Sequence, residues 1–401
     1  MPDTTNGTAG PAYPFLERGT GAGFPFCPHA DSYREVHPTS ARPIAVENDE
    51  VTLRGGSVTA VASFELVRGL LGKVESELFP GVPQMSQFDL FRSSAAEHAS
   101  IRAVLNPYFS RRNIERYRVA LTGIVNDQIA LLREAGTSAD LVNSFSAPVS
   151  GRSIACLVGA PEEMHAAFAR TASAMFDPKQ SEREMLESRK ILESFIGDCH
   201  RLVAQKREQP GDDLLSYLID KHGGEFSDYD LAWLCTVLLA AGYDTTANMI
   251  SWGAYVLLTQ PEASNELRAD PDLWENAIEE LMRFVSFSTM TLQRSVLVDT
   301  PIAGFTFQGG DDYLGLPFMA NWDASVFPDP HMFDIHRSNA RSHLGFSHGP
   351  HHCLGQNFAR MEMRESLSAL LTQLPQLALT EHEPHIRRKN TIFLESLNVR
   401  W

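Results

Sequence analysis

Cys353 stands in the run GFSHGPHHCLG (345–355), with His348, His351 and His352 among the residues just before it. A thiol beside imidazoles can be a metal ligand, a reactive group or an inert core side chain. The loop also holds Gly345, Gly349, Pro350 and Gly355, which allow tight turns and close backbone approaches and then stiffen them. After it, LGQNFARMEMRESLSALL carries an apolar stripe at Leu354, Phe358, Met361, Leu367, Leu370 and Leu371, the pattern of a helix. Cys353 therefore precedes a helix N-terminus, where N–H groups and the helix dipole favour a thiolate. Three readings stand side by side: an inert buried cysteine, a zinc site with His348, His351 or His352, and a lone axial ligand to haem. The zinc spacing is crowded and no complementary ligand pair lies elsewhere. Neither of the first two accounts for the glycines.

A second chemical cluster, Ala241-Gly242-Tyr243-Asp244-Thr245-Thr246, lies inside SDYDLAWLCTVLLAAGYDTTANMISWGAYVLLTQPE. That segment opens on a capping box, Ser227 with Asp230 three residues on, and stops before Pro261. It is apolar on nearly every face, which predicts a buried helix roughly 50 Å long. Gly costs about 1 kcal/mol in a helix interior, and an unpartnered buried carboxylate costs more. On one reading Thr245 bonds back to the Ala241 carbonyl and Asp244 finds a basic partner. On the other, the helix relaxes and opens a groove where an acid and an alcohol face a bound molecule.

Phe346, Gly349, His351, Cys353 and Gly355 match the F-x-x-G-x-[RH]-x-C-x-G signature of the cytochrome P-450 haem-thiolate enzymes, and the chain resembles that family over roughly 85–401. The resemblance implies that Cys353 ligates the iron of haem b. It implies that His98, Arg102, Arg294 and His351 hold the haem propionates, and that Ala241 and Gly242 lie on the cofactor's distal side. By the same resemblance Asp244 and Thr245 serve proton delivery to dioxygen. Glu280 and Arg283 match the family's E-x-x-R pair, which locks with a downstream arginine, here Arg337. One departure is the family's Pro-bearing turn near 306–310, where this chain has FTFQGGDD; an altered hairpin is expected there.

The elements that must position these residues are mostly helical. Amphipathic runs fall near 97–135, 150–175, 183–208 and 211–221, followed by the long segment at 228–260. Strand signals gather at 292–320 and 376–401, and VTLRGGSVTAVAS (51–63) reads as a hairpin around Gly55-Gly56. The expected fold is mainly α with small β-sheets, a cytochrome P-450 fold with haem between a long distal helix and a proximal cysteine loop. No repeat or linker divides the 401 residues, so one domain over 1–401 is expected, with about 1–12 a flexible tail.

A formal net charge of −16 argues against nucleic acid and anionic membrane surfaces as partners. The five cysteines are scattered and contain no C-x-x-C, which suits a reducing compartment. With neither a signal-peptide pattern nor about 18 consecutive apolar residues, a cytoplasmic protein is expected. The resemblance implies a monooxygenase acting on a small or middle-sized organic molecule with dioxygen, in hydroxylation or epoxidation during secondary-metabolite tailoring. Oxidative C–C or C–N coupling is the alternative, and a non-catalytic haem-binding accessory protein is the reading of a different class. No flavin or nicotinamide segment is recognised, so electrons are expected from a ferredoxin and its NAD(P)H-dependent reductase. Arg111, Arg112, Arg116, Arg118, Arg360 and Arg364 form the expected docking patch. Candidate substrate-pocket segments are 70–92, 165–190, the helix face before Gly242, Phe287 to Leu292, and Ile392-Phe393.

Overall fold

The computed structural model describes residues 44–46, 58–78, 86, 89–91, 93–176, 182–288, 291, 294–380, 384–388 and 392–401. The expected tail at 1–12 and the Gly55-Gly56 turn lie outside these residues. Helices dominate, as the sequence pattern requires, and they centre on one unbroken helix, Asp228–Thr259. Its capping box forms as read: Asp230 N–H donates to Ser227 Oγ at 3.2 Å, and Ser227 N–H donates to Asp230 Oδ2 at 3.1 Å. It ends at Gln260, and Pro261 starts a new helix, Pro261–Ala269. Leucines, tryptophans and small residues on all its faces are buried, so it runs through the core.

Four further helices wrap this rod: Ala147–Val158, His165–Phe176, Glu182–Glu208 and Gln356–Gln373. The run expected over 97–135 divides at Pro107 into Ala95–Leu105 and Arg118–Ala135, joined by short turns. A helix at Phe64–Gly72 has no counterpart in the sequence reading; Ser63 caps it, and Leu66, Val67, Leu70 and Leu71 are buried.

Strands β1 (Ile44–Val46), β2 (Val58–Val61), β3 (Ser76–Leu78), β5 (Arg294–Val296) and β8 (Asp312–Gly315) form a sheet in the order β1-β2-β8-β5-β3. Val58–Val61 pairs antiparallel with Ile44–Val46 and parallel with Asp312–Gly315; the expected first half of the hairpin, 51–54, lies outside the described residues. β6 (Thr300–Ile302) and β7 (Phe305–Phe307) form a hairpin over Ala303 and Gly304, both at positive φ. The segment 306–310, where an altered hairpin is expected, instead ends β7 and turns into β8, with Gly310 at φ 92°. A smaller sheet joins β4 (Ser138–Asp140), β12 (Asn398–Arg400) and β9 (Ala378–Leu379), and His385–Arg388 pairs with Ile392–Ser396. One core cluster surrounds the long helix, and a smaller one lies between the Phe64–Gly72 helix and the five-stranded sheet. Among the described residues no helix is long and apolar enough to cross a membrane.

Candidate active site

The cysteine loop is built from two short-range devices. The Cys353 N–H donates to the Phe346 carbonyl at 2.9 Å and closes the loop on itself. Gly349 takes φ 74°, and a Cβ there would stand 2.5 Å from the Leu71 carbonyl oxygen and 2.6 Å from Gly72 Cα. Only glycine meets both demands. Gly355 has an ordinary negative φ of −80°, and no atom beyond its chain neighbours lies within 4 Å of where a Cβ would stand. The helix Gln356–Gln373 begins directly after it. Burial raises the Cys353 thiol above its ordinary value, while N–H groups of Gly355 and Gln356 and the charges of Arg102 and Arg360 favour the thiolate. The three neighbouring histidines do not turn toward the sulfur as a zinc set. His351 stacks on His98 with ring centroids 4.0 Å apart, His352 Nδ1 bonds Gln356 Nε2 at 2.9 Å, and His348 packs against Gly72. Among the described residues no group of three or more His, Cys, Asp or Glu is arranged to hold a metal ion.

Beside the loop the structure gathers four potential cations. His98 and Arg102 sit on the Ala95–Leu105 helix, whose start is set by a capping box between Ser94 and Glu97. Arg102 Nη1 donates to the His352 carbonyl at 2.9 Å. Arg294, on β5, is 4% exposed; its Nη1 donates to Ser76 Oγ at 3.1 Å and its Nε has no partner. Burial lowers the Arg294 guanidinium to about 10. Burial, with His98, Arg294 and Arg102 adding like charge, lowers His351 to about 3. Among the described residues none of the four is ion-paired to a carboxylate. A buried guanidinium with an unpartnered N–H, amid mutually repelling groups, fits an anionic ligand. The propionate edge of a haem over Cys353 is such a ligand.

Across the core, Ala241 to Thr245 are half-buried within an otherwise buried helix. The helix does not relax: its hydrogen-bonded spiral runs through this stretch, and Thr245 Oγ1 donates to the Ala241 carbonyl at 2.7 Å. The expected opening is therefore made by exposure and not by a break. Asp244 lies close enough to Tyr243 to raise that phenol, after burial, above its ordinary value. A Cβ on Gly242 would stand 2.6 and 2.7 Å from Ile154 Cδ1 and Cγ1, so the glycine lets the Ala147–Val158 helix approach. From that helix Ser150 Oγ donates to the carbonyls of Gly242 and Tyr243, at 3.1 and 2.9 Å.

The framework behind the loop forms as the E-x-x-R spacing predicts. Arg283 grips Glu280 with two 2.7 Å hydrogen bonds, both side chains fully buried, and Arg337 Nε donates to Glu280 Oε1 at 3.1 Å. Arg283 and Arg337 then donate to carbonyls of Asn321, Pro328, Asp329, Pro330 and Met332, which fixes the segment leading to the cysteine loop. The sequence reading missed Glu279, one residue earlier. Its carboxylate, 2% exposed, bonds His343 and Arg360. Burial would raise it, but those two hydrogen bonds together with the electrostatic attraction of the same partners outweigh burial and hold it at about 2. The reading also missed Glu362, buried near Ser150 with Oε1 unpartnered. Of the candidate pocket segments, the described part brings Phe287 and Phe393 together, ring centroids 6.3 Å apart.

The proposed docking arginines divide into engaged and free. Arg118 is held by Glu115 and Glu365, Arg116 by Asp212, Tyr108 and Tyr117, Arg111 by Glu275, and Arg360 by Glu279. Among the described residues Arg112 and Arg364 make no ion pair.

Comparison with known proteins bears on this geometry. The family model described as Cytochrome P450 matches residues 160–397. The chain is 34% identical to 20-oxo-5-O-mycaminosyltylactone 23-monooxygenase of Streptomyces fradiae, over 84% of this chain and 81% of that protein. It is 36% identical to pentalenic acid synthase of Streptomyces avermitilis, over 71% and 69%. Among solved structures, the mycinamicin VIII C21 methyl hydroxylase of Micromonospora griseorubida, bound to mycinamicin VIII, superposes with a TM-score of 0.83 at 29% identity, over 94% of this chain and 97% of that one.

Proposed function

Because the chain belongs to the cytochrome P450 family of monooxygenases, we propose that it binds haem b through Cys353 and hydroxylates or epoxidises a middle-sized organic metabolite. The observation that carries this reading is the cluster of His98, Arg102, Arg294 and His351 beside the cysteine loop, with the Arg294 Nε buried and unpartnered. In this reading those four side chains receive the two propionates by charge-assisted hydrogen bonds. Phe346, Gly349 and Gly355 shape the bed under the ring, and Ala241 and Gly242 face it from the long helix. When bound, haem supplies the reductive activation of dioxygen and the oxidising power used on the substrate.

The chain's own residues supply the rest. Cys353 would present its sulfur to the iron as a thiolate: burial raises the thiol, and the N–H groups of Gly355 and Gln356 and the charges of Arg102 and Arg360 act against that rise. Thr245 commits its proton to the Ala241 carbonyl, so its Oγ1 lone pairs stay available to accept a hydrogen bond. We assign proton uptake to the Asp244 carboxylate, and to Thr245 Oγ1 the acceptance of a hydrogen bond that holds the proton-donating group in place. The relatives' names, 20-oxo-5-O-mycaminosyltylactone 23-monooxygenase and pentalenic acid synthase among them, support a natural-product substrate in secondary metabolism. Electrons come from a ferredoxin and its NAD(P)H-dependent reductase in the cytoplasm, with Arg112 and Arg364 as the free charges of the docking face.

The test is a spectrum of the purified protein, reduced under carbon monoxide. The expected result is the Soret position of thiolate ligation. A colourless protein, or a band of histidine or thiol ligation, refutes the reading. Titration of candidate metabolites, read as displacement of the distal water in the Soret band, then identifies the substrate class.

A further inference from the structure

We propose that Glu279, His343 and Arg360 are positioning residues for the Cys353 sulfur: they pin one cation against the cysteine loop and thereby set the charge felt by the haem ligand. The proposal rests on the haem-thiolate reading above. Arg360 lies in the second turn of the Gln356–Gln373 helix, and its guanidinium carbon stands 4.4 Å from the centre of the Phe346 ring. The Phe346 carbonyl accepts the Cys353 N–H, so cation, ring, peptide and sulfur follow one another in space. The Arg360 charge acts on the sulfur in the sense that stabilises an anion.

An arginine whose side chain is 27% exposed would ordinarily turn its head toward water. Glu279 prevents this with a two-pronged grip, Nε to Oε1 at 2.8 Å and Nη2 to Oε2 at 3.0 Å. Glu279 is itself aimed by His343, whose Nε2 lies 3.0 Å from Oε2. The tautomer is fixed by the loop: the Gly345 N–H donates to His343 Nδ1 at 3.0 Å, leaving the proton on Nε2. Gly345 immediately precedes Phe346. The circuit therefore runs from the loop through His343, Glu279 and Arg360 back to the loop. It is separate from the Glu280–Arg283–Arg337 network, which binds the segment 321–337. Arg341, 61% exposed, approaches Glu279 Oε1 only at 3.7 Å and lies on its solvent side.

The experiment is a spectroelectrochemical titration of the haem-loaded protein and four variants. Removing the cation with Arg360→Met is expected to disfavour reduction at least threefold in the oxidised-to-reduced equilibrium. Glu279→Gln removes the negative charge but keeps an amide oxygen to hold the Arg360 guanidinium in place, and is expected to favour reduction by a similar factor. The double variant and Arg360→Lys are expected to stay within twofold of wild type. A loop that has merely loosened moves both single variants the same way; that result, or no shift in either, overturns the proposal. Should a single variant fail to hold haem, Arg360→Lys and the double variant decide it, and a threefold shift in either overturns it. A wild type without pigment is a different failure: it refutes the haem-thiolate reading itself, and the proposal with it.

Discussion

Cys353 and Glu362 lie nine residues apart and show two ways a side chain's chemistry is set by what surrounds it. The loop around Cys353 was legible, because glycines, a proline and a following helix fix its backbone, but it left three readings of the sulfur open and only the family resemblance favoured haem ligation. Replacing Cys353 by serine is expected to abolish the thiolate Soret band while leaving far-ultraviolet circular dichroism unchanged; a retained band would refute its role. Glu362 was not legible, since it stands between Met361 and Met363 in a helix that pattern alone does not turn fully inward. Burial raises its carboxyl well above the ordinary 4.5, against a hydrogen bond from Ser150. A carboxyl raised in the folded state contributes stability that is complete below the unfolded value and is lost as pH rises toward the folded one. Glu362→Gln stays neutral throughout. Its denaturation midpoint is therefore expected to gain on wild type steadily from about pH 4.5 upward. A pH-independent difference between the two would show that the buried carboxyl is not held neutral. Arg294 was recognised as a site residue only through the family resemblance. That its Nε lacks a partner needed the strand pairing of β5 with β3, which puts Ser76 on one nitrogen and nothing on another.

The long helix kept most of what its sequence promised and corrected one expectation. Ser227, Asp230 and Pro261 mark its ends because capping and the missing proline N–H are local effects. The Gly242 to Thr245 stretch reads as a weak point by propensity, yet burial and Ser150, reaching in from another helix, hold it helical. No pattern in the sequence reports that second helix. Gly242→Ala should show it: helix propensity gains about 1 kcal/mol, but overpacking against Ile154 costs about 1–3 kcal/mol. A net loss is expected in chemical denaturation, and none when Gly242→Ala is made in an Ile154→Ala background. Single-variant stability equal to wild type would mean the helices separate freely. At the Glu280–Arg283 pair the stakes are larger. Glu280→Ala leaves a fully buried guanidinium unpaired and is expected to cost about 3–5 kcal/mol, or to prevent soluble expression. Within the hairpin read at 51–63, Val58–Val61 is a strand as expected, but its described partners are Ile44–Val46 and Asp312–Gly315, because alternation identifies a strand and not its partner.

At the scale of the molecule, a chain of net charge −16 would offer the proposed acidic partner few unengaged cations on the proposed docking face. Composition gave the sum, but only the fold separates Arg112 and Arg364 from arginines already tied to Glu115, Glu275, Glu279 and Glu365. Arg112→Glu is expected to slow ferredoxin-driven reduction about tenfold at low salt, and less as salt rises. An unchanged rate would move the docking surface elsewhere. The central sheet has a further consequence for biosynthesis. Thr59 finds its parallel neighbour in Tyr313, so the early strand emerges from the ribosome long before its mate exists. At 5–20 residues per second, the roughly 250 residues between them take on the order of 10–50 s to make. Throughout that interval one edge of Val58–Val61 is open to illegitimate pairing, so yield in a foreign host should respond to translation speed and chaperone supply before it responds to any change at the haem.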